Sequence, residues 1–153
     1  MRHKKRIRLA KRKDRIEIKE LNERCLSENY DMAFFENIIG DKNSFVFEID
    51  SLKVGYIMCD VNGHIVSFAV LEEYRKLGYG RRLLNECYAN LKGKKVKQMS
   101  LNVRCDNEGA IKLYESFGFV KDYTVEEYYK DKMAAYFMLK SIDYGQKKNL
   151  ILE

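Results

Sequence analysis

The sequence has no proline and only two histidines, His3 and His64. Without proline, and without any Gly/Ser-rich stretch, no segment reads as a linker between domains. The two histidines stand far apart and suggest no zinc site. The four cysteines, Cys25, Cys59, Cys87 and Cys105, form no CxxC pair and follow no metal-ligand spacing. They read as buried or half-buried free thiols in a reducing compartment. No apolar run approaches the roughly 18 residues that a membrane-spanning helix needs. The opening stretch MRHKKRIRLAKRKDR is basic but has no apolar stretch of the secretory kind. No fixed period marks a repeat. These absences leave a cytoplasmic protein with no membrane partner and no metal centre as the expectation.

What is present fits one domain over residues 1–153, with ragged charged ends expected at 1–5 and 145–153. The formal net charge of +6 favours an anionic partner: nucleic acid, an acidic protein or a phosphorylated cofactor. The basic amino-terminal stretch has no interleaved aromatics, so sequence-specific nucleic-acid recognition is unsupported. It reads as a solvated charge run or as a ribosome-facing patch.

Hydrophobic spacing sets the elements. RIRLA (6–10) is strand-like. A helical pattern starts at Asp14, taken as its N-cap, and runs to about Cys25 with Ile16, Ile18, Leu21 and Leu26 marking an apolar face. A second short helix spans Met32 to Ile39, closed by Gly40. The period then drops towards two: SFVFEI, VGYIMCDV and HIVSFAV form an antiparallel meander, the last two joined by a two-residue Asn62-Gly63 turn. Leu83, Leu84, Cys87, Tyr88 and Leu91 mark a third helix. VKQMSLNV is a strand, and NEGAIKLYESF is a helix with Ile111, Leu113, Tyr114 and Phe117 inward. Two strands, from GFVKDYTVEEYY and MAAYFMLK, close the chain. The order β-α-α-β-β-β-α-β-α-β-β makes an α/β (α+β) layered domain.

The stretch RKLGYGRRLL places a glycine-containing turn between a strand and a helix. A helix start offers unpaired N–H groups and the positive end of the dipole, and glycine lets backbone close in on a phosphate. Arg75, Lys76, Arg81 and Arg82 add positive charge. A pyrophosphate suits such a turn, and so does the plainer reading of a tight turn into a surface helix. The pattern is neither GxxxxGK[ST] nor GxGxxG in a βαβ unit.

Arg75-Lys76-Leu77-Gly78-Tyr79-Gly80 resembles the acetyl-CoA pyrophosphate loop, R/Q-x-x-G-x-G/A, of the GCN5-related N-acetyltransferase (GNAT) family. NEGAIKLYESFGF resembles the family's second cofactor segment. CLSENYDMAFF, GHIVSFAVLEEYRKLGYGRRLL, SLNVRCDNEGAIKLY and VEEYYKDKMAAYFM are similar to the NatA-type catalytic subunit of protein N-terminal acetyltransferases, from about Ile7 to Leu139.

The resemblance implies a central, mostly antiparallel mixed sheet of about seven strands flanked by four helices. It implies an acetyl-CoA-dependent N-acetyltransferase acting on protein or peptide N-termini by direct amine attack. It implies that Phe68, Ala69 and Val70 pair with the pantetheine arm, and that the loop Arg75, Lys76, Leu77, Gly78, Tyr79, Gly80 and Arg81 holds the pyrophosphate. Asn107 would bond to the arm, and Tyr114 would protonate the departing sulfur. Glu28 would bind the substrate and activate its amine, Tyr30 and Tyr129 would wall the peptide, and Arg104 would position Glu28 or Tyr129. A plain reading stands beside each: Tyr114 as a core tyrosine, Glu28 as a solvated carboxylate, Arg104 as a surface charge.

The acceptor needs only weak help. An α-amine has a pKa of about 7.7–8.0 against about 10.4 for lysine, so a fair fraction is already neutral near pH 7. Two departures from the family matter. Asn102 stands where relatives often carry His or Glu as a base, and Asn takes no proton at neutral pH. KDKMAAY stands where relatives carry an acidic segment, which bears on the choice of first residue. His64 reads as orienting the hairpin or filling the core edge, not as a catalytic residue. The rival readings are a ribosomal-protein or lysine acetyltransferase of the same fold, and a non-catalytic acyl-CoA-binding subunit. An auxiliary subunit or ribosome association fits either.

Overall fold

The computed structural model describes residues 2–145. Its elements are β1 (Lys5–Leu9), α1 (Arg15–Cys25), α2 (Met32–Gly40), β2 (Phe45–Ile49), β3 (Leu52–Cys59), β4 (His64–Val70), α3 (Tyr79–Gly93), β5 (Gln98–Arg104), α4 (Glu108–Phe117), β6 (Val120–Val125) and β7 (Ala135–Ser141). The strands form one seven-stranded sheet in the order β1-β2-β3-β4-β5-β7-β6. Every neighbouring pair is antiparallel except β4 and β5.

That exception shapes the molecule. The parallel pair is joined only at His64 to Ser100 and Ile65 to Leu101. Beyond Ile65 the two strands diverge. A bulge lies at the same place: Ser67 pairs with Met58 and Ile65 with Cys59, so Val66 has no partner of its own. An extra residue flips the pleat. Phe68 therefore points to the α3 side, within reach of Gly80, while His64 points to the opposite face, where it meets Ser100.

The core lies mainly in the first half of the sheet. α3 packs on β2 and β3, and α1 and α2 on β3. Phe35, Phe47, Tyr56, Ile57, Leu83, Leu84 and Leu91 are fully buried there. The helical spacing of Leu83, Leu84, Cys87 and Leu91 supplies the stripe that α3 buries. A buried charge cluster sits under the start of α1. Asp14 accepts two hydrogen bonds from Arg8 at 2.8 Å and one from the Lys11 backbone. Arg8 also reaches Glu48 at 2.9 Å, and Lys53 joins Asp14, Glu48 and Glu17. Asp14, expected as a helix cap, makes no cap bond to α1 and is instead the hub of this cluster. Its pKa falls to about 2 because Arg8, Lys11 and Lys53 outweigh the cost of burial.

Two further expectations change. Lys5, expected in a ragged end, pairs with Ile49 as the first residue of β1, and the Lys4 backbone N–H donates to Asp50 at 2.8 Å. The other expected ragged end lies outside the described residues apart from Gly145. The β3–β4 connection is four residues long, 60–63. Asp60 accepts from the N–H groups of Asn62 and His64, both at 2.9 Å, and only Gly63 takes a positive φ. An Asx turn replaces the two-residue hairpin because the Asp60 side chain competes for the loop's donors.

Candidate active site

Two cavities meet in the gap between β4 and β5. One, about 570 Å³, runs along Phe68–Val70 to the start of α3. The other, about 450 Å³, lies between the α1–α2 loop, β4, β5 and the β6–β7 loop. Phe68, Asn107, Ala110 and Tyr114 line both.

The first cavity is built around a helix start. Lys76 and Gly78 have φ of +63° and +85°, so the backbone curls ahead of Tyr79. The first N–H of α3 with a backbone partner is that of Arg82, which donates to Gly78. The free donors before it face the turn, at the positive end of a 15-residue helix. Gly80 packs beside Leu113 and Phe68, where a Cβ would sit at ordinary contact distance of 3.4 Å from both. Arg75 donates from Nε to the Val70 carbonyl at 2.7 Å, which ties the loop to the end of β4. The donor set, an open strand edge beside a cationic helix start, fits a pantetheine pyrophosphate.

Tyr79 and Arg81 line the first cavity and are also engaged elsewhere, whereas Leu77 stands apart. Leu77 lines neither cavity and is 60% exposed. The Tyr79 ring is buried against Phe47, 4.4 Å between centroids, with the Lys5 ammonium over it. Arg81 is bonded to Ser116 and lies over the Phe117 ring, so it is shared with α4. Asn107 caps α4 by accepting from the Ala110 N–H at 3.2 Å, which leaves its amide N–H₂ for another partner.

Tyr114 stands where the cavities join. It is buried, and burial pushes its phenol well above the usual tyrosine range. Its hydroxyl makes no hydrogen bond among the described residues. The phenol stays protonated and its donor is free.

The second cavity gathers Glu28, Tyr30, Arg104 and Tyr129 from three separate segments. Asn22, fully buried in α1, donates to the Glu28 carbonyl at 3.1 Å and so pegs the loop. The Glu28 carboxylate accepts from the Ser27 hydroxyl at 2.8 Å. Tyr30 stacks on Phe34 at 4.2 Å and donates to the carbonyl of the bulged Val66 at 3.4 Å. Burial, with Glu28 adding to it, raises the phenol pKa of both Tyr30 and Tyr129. Arg104 makes no bond to Glu28. It binds Asp131 through two nitrogens, at 2.7 and 3.2 Å, and lies 4.9 Å above the Tyr129 ring. Its partners are the β6–β7 loop and Asp106, to which Nε donates at 3.2 Å.

The structure adds His64, which was not expected at the site, and places Asn102 beside it. His64 lines the second cavity, with Nδ1 2.7 Å from the Ser100 hydroxyl. Burial lowers its pKa, so the ring is neutral near pH 7. Nε2 makes no hydrogen bond among the described residues. Asn102 lines the same wall and donates to the Tyr128 hydroxyl at 3.4 Å. The bulge at Val66 turns His64 towards this cavity, and no sequence pattern announces that bulge. No group of three or more metal-ligating side chains occurs among the described residues.

Residues 15–119 match the model of the acetyltransferase (GNAT) family. The chain belongs to that family. This acetyltransferase is 36% identical to the N-alpha-acetyltransferase of Sulfurisphaera tokodaii, over 87% of its own length and 90% of the relative's. Its fold superposes on Ard1 from Thermoplasma volcanium with a TM-score of 0.85 at 26% identity, over 90% of this chain and 97% of the other. It superposes on Arabidopsis thaliana Naa50, solved with the bisubstrate analogue CoA-Ac-MVNAL, with a TM-score of 0.81 at 25% identity, over 90% and 98%. The acetyltransferase shares the seven-stranded sheet and four helices of these structures. None of its described helices is long and apolar enough to cross a membrane.

Proposed function

We propose that the chain transfers an acetyl group from acetyl-CoA to the α-amine of protein N-termini. The observation that carries this reading is the pair of cavities joined at Tyr114: a cationic helix start on one side, and a tyrosine-walled chamber with Glu28 and neutral His64 on the other. A chamber reached from the opposite side of the sheet admits a chain end to the acetyl group without crossing the donor's path.

Bound acetyl-CoA supplies an activated acetyl thioester. Phe68–Val70 offer a strand edge to its arm, and Arg75, Lys76, Gly78 and Gly80 hold the diphosphate. Glu28 accepts a hydrogen bond from the incoming amine and orients it. The free Nε2 of His64 takes the proton that the amine sheds, directly or through water, while Nδ1 stays on Ser100. The position of Asn102 then needs no base. Tyr114 keeps its proton at the junction and delivers it to the leaving sulfur, whose thiol pKa of about 8.5 makes that help modest. Tyr30 and Tyr129 close around the first residues, and Arg104 steadies Tyr129. Action in the cytoplasm, with ribosome or auxiliary-subunit docking through the basic surface, belongs to the same reading.

A peptide library with free or blocked α-amines, each member carrying one lysine, tests it. Mass readout should place acetyl on the free α-amine and leave blocked peptides untouched. Equal labelling of lysine in the blocked series overturns the reading.

A further inference from the structure

The second half of the sheet has one face that α1 and α2 leave bare, since they pack on β3 and β4. The registers define what this face carries. Phe137 of β7 pairs with Asn102 of β5 and Tyr123 of β6, and Leu139 pairs with Ser100 and Val120. Paired residues share a face, so these side chains lie on the side of Ser100, where His64 also sits. The neighbouring residues Met138 and Lys140 point the other way, Lys140 over the rings of Tyr88 and Phe117.

Among the described residues, the β6–β7 part of this face is bare and apolar. Val120 is 64% exposed and Tyr123 53%, while Phe137 and Leu139 are half-buried. Isolated exposed apolar residues are ordinary, but a contiguous strip marks an interaction surface. The rings form a row. Tyr123 stacks on Phe137 at 4.8 Å, and Phe137 lies near-parallel to His64 at 6.2 Å. His64 lines the peptide-side cavity, so the row runs from the sheet edge into that cavity.

We propose that this strip carries the acceptor polypeptide beyond its first residues. The inference rests on the reading of the cavity as an N-terminus site and extends it outward. A chain whose amine sits beside His64 must leave through the cavity mouth. The row His64–Phe137–Tyr123 is a line of rings from that point, crossing Ser100 and Asn102 of β5 before it becomes apolar on β7 and β6. An extended segment laid along it places an apolar side chain, a few residues from the terminus, against Phe137 and Tyr123. The enzyme then prefers acceptors with an apolar or aromatic residue downstream, beyond the preference set by the first residue.

Three peptides with the same first three residues test this: a four-residue peptide, a ten-residue peptide with serine at positions 4–7, and a ten-residue peptide with leucine and phenylalanine there. KM for the apolar peptide should be roughly five- to tenfold below the other two, the size expected for partly burying one such side chain. Tyr123→Ser and Val120→Ser, tested separately, should remove that advantage and leave kcat and KM of the short peptide unchanged. A benzophenone at the fifth residue should cross-link to β6 or β7. Equal KM for all three peptides, or variants that alter short and long peptides alike, overturns the strip while N-terminal acetylation stands. Cross-linking elsewhere overturns it too, as does loss of self-association, in place of a peptide effect, in the serine variants. Absence of acetylation of the short peptide, by contrast, tells against the N-terminus reading, and the cross-link then still decides the strip.

Discussion

The two cavities that meet at Tyr114 are made in opposite ways. The diphosphate side is local. Arg75, Lys76, Gly78 and Gly80 lie within six consecutive residues, and the start of α3 alone supplies the free donors. The peptide side is dispersed. Glu28 and Tyr30 come from the α1–α2 loop, His64 from β4, Asn102 and Arg104 from β5, and Tyr128 and Tyr129 from the β6–β7 loop. A local site tolerates drift elsewhere in the fold, whereas a dispersed one depends on every brace that holds its pieces together. Substitutions should therefore sort by chamber.

The largest effect should come from Glu28→Gln, which keeps shape and removes charge. Peptide kcat/KM should fall about a hundredfold or more, with acetyl-CoA affinity by calorimetry unchanged. Unchanged kinetics would mean that Glu28 does not orient the amine. His64→Phe should follow, with a loss of about tenfold or more in kcat. It should also remove the acid limb of the kcat profile, which lies below the ordinary histidine pKa of 6.5 because burial disfavours the charged ring. A limb that survives would assign that titration to another group.

Gly78→Val breaks the comparison from the other side. A β-branched residue at φ +85° is strained, so acetyl-CoA affinity should fall about tenfold, the equivalent of about 1.4 kcal/mol. Peptide KM, measured at saturating acetyl-CoA, should stay constant; a rise in it would mean that the chambers are not separable. Asp131→Asn, which loosens Arg104 from the β6–β7 loop, should raise peptide KM only two- to fivefold, roughly the worth of an exposed pair. Salt should shrink the difference.

The smallest effect on turnover concerns the cluster under α1, whose far end carries the peptide-side loop. Folding lowers the Asp14 pKa from 3.8 to about 2. The stabilisation is whole above 3.8 and drains away as the pH falls through 2, a loss of about 2 kcal/mol. Urea midpoints at pH 5 and pH 2.5 should separate wild type from Asp14→Asn clearly at the higher pH, and the gap should shrink to roughly a third at the lower.

The same contrast explains what could be read from the chain. Element order followed from periodicity, and the diphosphate loop from contiguous residues. Glu28, Tyr30, Arg104 and Tyr129 were reachable only through family likeness, because nothing local about a loop glutamate announces its neighbours. His64 escaped altogether as a site residue. Its direction depends on one unpaired residue, Val66, and alternation alone would point it with Phe68 towards α3. Asp14 shows the same limit: its position before a helix suggests a cap, yet Arg8 and Lys53 arrive from strands and claim its oxygens. Leu77 was included by position in a motif, but its side chain faces solvent.

The divergence of β4 from β5 after only two paired positions leaves a slot one strand wide in an otherwise continuous sheet. A guest that lies along Phe68–Val70 would knit the two halves, so the loaded enzyme should be stiffer than the free one across that seam. Each turnover would then close and reopen it, and slowed amide exchange in β4 would report occupancy without any chemistry taking place.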